Sequence, residues 1–120
     1  MQLGDTFLFN VNKSHLWIVA SDPSRYGGCF VFVNLTSDSF RAGTECSLIP
    51  GDHPWIAKQT WVNFGDAREV TPKEEATMQT LIASNFMISH APMGATQLEK
   101  IRVAALVSRA IPKKLKKYFE

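Results

Sequence analysis

Several classes are excluded by what this chain lacks. Its 120 residues contain only two cysteines and three histidines. Two cysteines cannot build a disulfide scaffold, so Cys29 and Cys46 read as small core or edge residues, with a disulfide or redox pair as the alternative. His15, His53 and His90 lie far apart, and no Cys/His pair has zinc-site spacing, so neither a metal nor a cofactor is expected. No apolar run is long enough to span a bilayer, and no membrane association is expected. Met1-Gln2-Leu3-Gly4-Asp5 lacks the basic-then-apolar pattern of a secretory leader, which predicts a cytoplasmic chain. There is no internal repeat and no low-complexity linker.

What is present is globular. Hydrophobic residues make up 45% and charged residues 20%, enough for a core without disulfides or metals. The length predicts one domain over 1–120, with a β part at 1–70 and a helical part at 71–120. Net charge is +2, but its placement is uneven. Residues 100–120 hold seven Lys/Arg and one Glu, or +6, which leaves −4 for the rest. Such asymmetry points to a polyanionic or acidic partner.

Along the chain, 6–9 reads as a strand, 10–14 as a turn and 15–20 as a second strand rich in β-formers. Residues 21–28 carry turn chemistry. The apolar run 29–36 reads as a central buried strand. A polar loop at 37–44 contains Arg41, and 46–49 is a short strand stopped by Pro50-Gly51. Another strand lies within 55–64 and ends near Gly65-Asp66, and 67–70 reads as one more. Five or six short strands with frequent turns predict a small SH3-like barrel or a sandwich. Thr71-Pro72-Lys73-Glu74 is a capping box, and Met78, Leu81, Ile82 and Phe86 form the stripe of a helix over 72–86. Residues 89–94 break it. Thr96-Gln97-Leu98-Glu99 reads as a second capping box, opening a helix whose face carries Leu98, Ile101, Ala105 and Leu106. Pro112 interrupts that helix, and 113–119 form a last turn or two.

The order of motifs resembles MazF/PemK-type toxins over about residues 4–86. Gly4-Asp5 precedes the first strand. Leu16-Trp17-Ile18-Val19-Ala20-Ser21 follows, then Val33-Asn34-Leu35-Thr36-Ser37, then Gln59-Thr60-Trp61-Val62-Asn63-Phe64, and Val70-Thr71 leads into a helix. The resemblance implies an SH3-like barrel with helices, usually a homodimer. It also implies metal-independent cleavage of single-stranded RNA, blocked by an antitoxin. Thr36 and Ser37 match the family's Thr-Ser position. Where the family has its catalytic Arg, this chain has Ser14-His15, and the last 30 residues have no counterpart in the compact toxins.

Metal-free RNA cleavage needs a base for the 2′-hydroxyl, charge stabilisation at phosphorus and an acid for the leaving oxygen. The candidates are His53 and His15 for proton transfer, Arg41 and Lys58 for phosphate, and Thr36 and Ser37 as hydrogen-bond donors. Each also has a plainer reading: His15 as a strand cap, His53 as a turn stabiliser, and Thr36-Ser37 as an ordinary strand end. Trp55 and Trp61 fit the core or a dimer interface as well as base stacking. Lys113, Lys114, Lys116 and Lys117 can contact RNA phosphates, dock on an acidic antitoxin-like protein, or simply form a solvated helix end. The alternative to an enzyme is therefore a non-catalytic module that binds protein or nucleic acid through this basic segment.

Overall fold

Phe30–Thr36, the most apolar stretch, is buried along its whole length because it has a core on each side. Side chains alternate across a strand. Val31, Val33 and Leu35 enter one cluster, and Phe30 and Phe32 enter another. A computed structural model describes residues 1–42 and 45–120, except for the side chains of Arg41 and Ala42. It has six strands: β1 (Thr6–Phe9), β2 (Asn12–Val19), β3 (Phe30–Thr36), β4 (Ser47–Leu48), β5 (Thr60–Val70) and β6 (Met87–His90). Three α-helices accompany them: α1 (Ser39–Ala42), α2 (Pro72–Ala83) and α3 (Ala95–Val107). Short 3-10 helices lie at Pro23–Arg25 and Lys113–Phe119. The strands form one open antiparallel sheet in the order β4-β5-β3-β2-β1-β6. The expected small, mainly β fold with helices is thus what the chain adopts.

Several boundaries differ from the sequence expectation, each for a local reason. The two strands expected across 55–70 are a single strand, β5. Phe32 pairs with Arg68 and Asn34 with Asn63, so two steps along β3 face five along β5. The extra residues bulge out around Gly65 and bend the strand while pairing continues on both sides. The predicted helix over 72–86 ends at Ala83. Asn85 adopts φ 63°, and the Phe86 N–H bonds to the Leu81 carbonyl while Asn85 N–H bonds to Ile82. This is the left-handed termination that Asn tolerates. It releases Phe86 from the helix stripe and lets β6 pair with β1, where only a break was expected. The second capping box does not form. Helix α3 starts two residues earlier, from Gly94 with no side-chain cap, and Glu99 pairs with Arg102 instead. The first box is present at Thr71 and Glu74.

The larger core joins the sheet to the C-terminal segments. Ile101 and Ala105 of α3, with Leu115 and Phe119, share one buried cluster with Val31, Leu35 and Phe64 of the sheet. In the 3-10 helix Lys113–Phe119, residues three apart eclipse. Leu115 and Tyr118 therefore face inward together and are buried, while Lys113, Lys114 and Lys117 remain exposed. Among the described residues, no helix is long and apolar enough to cross a membrane.

Candidate functional site

The loop at residues 50–56 is tied down at both ends. Gly51 takes φ 101°, a conformation that favours glycine, and Asp52 Oδ2 accepts from Ile49 N–H at 2.9 Å. This turn aims His53 inward, and its ring is only 2% exposed. His53 Nε2 lies 2.5 Å from the Ala91 carbonyl, and its Nδ1 lies 3.0 Å from Trp55 N. A carbonyl only accepts and a backbone N–H only donates. Nε2 must therefore carry the proton and Nδ1 must be bare, which fixes one neutral tautomer. Burial, the largest cause, pushes the His53 pKa below the ordinary imidazole value. The Ala91 hydrogen bond opposes this, and neighbouring His90, 5.1 Å away ring to ring, adds to it. Both nitrogens are thus committed to backbone, so His53 is placed as a strut between this loop and residue 91 and not as a solvent-reachable acid or base.

The other expected proton-transfer group sits elsewhere. Alternation on β2 sends Leu16 and Ile18 to the larger core and Trp17 to the smaller one, so His15 takes the Trp17 side. Its Nδ1 donates to the Leu35 carbonyl at 3.0 Å. Thr36 is buried, and its hydroxyl accepts from Asp38 N–H at 3.2 Å. It closes a local turn at the end of β3, and Ser37, the next residue, lies just beyond the strand. The side chain of Arg41, the other phosphate candidate, lies outside the described residues.

Two expected residues do meet. Ser37 and Lys58 line an open cleft of about 330 Å³ together with Ser14, Trp55, Ala57 and Thr60. Two other clefts have their charged groups already engaged. In one, Arg102 pairs with Glu99 at 2.7 Å and Arg25 donates to the Glu120 carbonyl. In the other, Arg68 lies over the Trp17 ring, Glu69 accepts from Tyr118 and Glu74 closes the capping box. In the Ser37 cleft, Lys58 and the Ser37 hydroxyl have no hydrogen-bond or ionic partner among the described residues.

Thr60 and Ser14 were not singled out from the sequence. The signal for Thr60 was its register: Thr60, Val62 and Phe64 share a face, so a hydroxyl falls on a core-facing row. Its Oγ1 is buried with no partner among the described residues. An Asn34–Asp66–Asn63 group on the opposite sheet face, with buried asparagines and a half-buried aspartate, was also missed. Both amides donate to Asp66 Oδ2, at 3.4 and 3.0 Å. Three-dimensional pairing across the β5 bulge makes that group, and no linear spacing announces it.

The basic segment is a 3-10 helix, Lys113–Phe119, with its lysines differently engaged. Lys117 lies 5.2 Å from the centre of the Tyr118 ring, and Lys116 Nζ donates to the Leu106 carbonyl at 3.2 Å. Lys113 and Lys114 are exposed and have no partner among the described residues. No three His, Cys, Asp or Glu side chains converge as metal ligands among the described residues. Cys29 and Cys46 are free thiols. No protein-family model, curated protein or solved structure matches this chain.

Proposed function

We propose that this chain is a non-catalytic module that binds single-stranded RNA through its basic C-terminal segment. One observation carries the reading: the segment is anchored by buried Leu115, Tyr118 and Phe119, which hold Lys113, Lys114 and Lys117 outward on a fixed scaffold. Pre-placed cations lose less freedom on binding than cations on a loose tail. From Lys113 to Lys117 the 3-10 rise spans roughly 8 Å, a length suited to successive phosphates of one strand. Arg109 adds a further exposed cation just upstream. RNA is placed ahead of an acidic protein because the spacing of the exposed lysines, roughly 8 Å from Lys113 to Lys117, suits the regular phosphates of a strand.

A metal-independent endoribonuclease of a toxin–antitoxin or phage-defence system is the second reading. It is favoured by the meeting of Ser37 and Lys58 in one cleft. It lacks an assembled acid–base pair, since His53 is sealed and bonded at both nitrogens. We therefore place binding first.

The test is fluorescence anisotropy of a labelled single-stranded RNA across a salt series. Each phosphate-contacting lysine contributes about 0.7 to the slope of log affinity against log salt. The triple variant K113Q/K114Q/K117Q should lower that slope by about 2. Binding that ignores salt, or a variant with the wild-type slope, refutes the proposal. RNA incubated with the protein and EDTA should stay intact, and cleavage would restore the enzymatic reading.

A further inference from the structure

We infer that the cleft between the β2–β3 end of the sheet and the loop at residues 50–60 is a nucleotide-binding site. Its phosphate would meet Lys58 and Ser37, and its base would lie on Trp55. Four observations converge on this. The cleft, at about 330 Å³, lies within the size range of small-molecule sites. Lys58 and Ser37 line it with their polar ends unspent. Trp55 packs part of its indole on the larger core and turns the rest to the cleft, while its backbone N–H is held by His53. A ring fixed in this way is a stacking platform that needs no ordering on binding.

The fourth observation is Thr60. Thr60 lines the cleft, and its hydroxyl is buried with no partner among the described residues. Buried polar groups are normally satisfied, and an orphan calls for an explanation. Lying on the core-facing row of β5 beside Val62, the position would accept Val without loss of packing. The hydroxyl therefore reads as a hydrogen-bonding group kept for a ligand. A neutral sugar could also stack on an indole and use the Ser37 and Thr60 hydroxyls, but it would leave the Lys58 ammonium unused. The Lys58 ammonium, without a partner among the described residues, selects an anionic ligand, and the indole selects one with a flat ring.

The site is separate from the basic 3-10 helix. Tyr118 of that helix bonds to Glu69, which pairs with Val31 at the start of β3, whereas Ser37 follows the last residue of β3. The seven residues of β3 put about 20 Å between the two. The inference therefore stands or falls without the RNA-binding reading of the basic segment.

Isothermal titration calorimetry of the full chain tests it, with adenosine monophosphate, adenosine, inorganic phosphate, a neutral disaccharide and a short single-stranded oligonucleotide as probes. The monophosphate should bind, and adenosine or phosphate alone should bind at least about tenfold more weakly. K58Q should weaken the monophosphate about tenfold. T60V should weaken it severalfold while leaving the thermal midpoint of the free protein unchanged or higher, because an unsatisfied buried hydroxyl is removed. An oligonucleotide that binds tighter than the monophosphate, with the same losses in K58Q and T60V, identifies the ligand as one residue of a strand. Equal or weaker oligonucleotide binding identifies a free nucleotide. The inference is overturned by absence of monophosphate binding up to millimolar concentration. Binding that K58Q and T60V leave unchanged also overturns it, as does disaccharide binding that K58Q does not touch. The triple variant K113Q/K114Q/K117Q should bind the monophosphate normally, which separates failure of this site from failure of the basic segment.

Discussion

Replacing His53 by alanine tests the strut assignment directly. The ring makes two hydrogen bonds to backbone, to Ala91 O and from Trp55 N–H. Without it the Trp55 N–H has no acceptor, at a cost of roughly 1–3 kcal/mol. The Ala91 carbonyl keeps a second donor, Thr6 Oγ1 at 2.6 Å, so its loss is nearer 1 kcal/mol. The emptied volume adds a packing term, since large-to-small changes at buried sites cost about 2–5 kcal/mol in total. We expect His53→Ala to lose roughly 3–5 kcal/mol in urea unfolding and roughly 10–20 °C in thermal midpoint. The pH dependence gives a second readout. The folded pKa of His53 lies below its unfolded value, mainly through burial. Its stabilisation is therefore complete above the ordinary imidazole range and is lost as pH falls through and below it. Wild-type stability should fall on going from pH 7 to pH 5, and that fall should be shallower in His53→Ala. A loss under about 1 kcal/mol, or an unchanged pH profile, would refute the strut.

Three further perturbations probe other elements. Asn85→Val forces a β-branched residue into the left-handed conformation that ends α2 and should cost about 1–3 kcal/mol; Asn85→Gly, measured in the same urea titration, should be near neutral. Leu115→Ala opens a hole under the basic 3-10 helix and should cost about 2–5 kcal/mol, with RNA affinity falling as the lysines lose their scaffold. Burial pushes the Cys46 thiol up to about 11, so at pH 8 only about one part in a thousand is thiolate. A thiol reagent should label the half-buried Cys29 far faster, and equal labelling followed by mass spectrometry would contradict the packing.

Patterns shorter than one element were legible in the chain. The unbroken apolar run of β3 announced burial on both faces, and the Thr71–Glu74 box announced the start of α2. Both are read within a few residues, where the physics is local. Three features were not legible. Strand β6 depends on Asn85 stopping α2 and on β1 offering a free edge, so its own four residues carry little signal. The bulge in β5 looked like a strand end because Gly65-Asp66 is turn-like, yet pairing to β3 resumes beyond it. The Asn34–Asp66–Asn63 group is made only by that bulge.

The candidate site divides along the same line. Residue chemistry marked Ser37 and Lys58, and the structure brings them together. It marked His53 for its imidazole, and the fold spends that imidazole on the backbone instead. Thr60 escaped notice because a threonine in a strand is ordinary until its surroundings prove to hold no partner.

The chain by itself settled which segments are apolar, where the charge lies and how α2 begins, because these follow from residue type and near-neighbour spacing. Only tertiary structure decided which polar groups remain unspent. Whether a hydroxyl, an ammonium or an imidazole is free depends on what distant segments bring within hydrogen-bonding reach, and here residue 91 claims His53 while no described residue claims Lys58, Ser37 or Thr60.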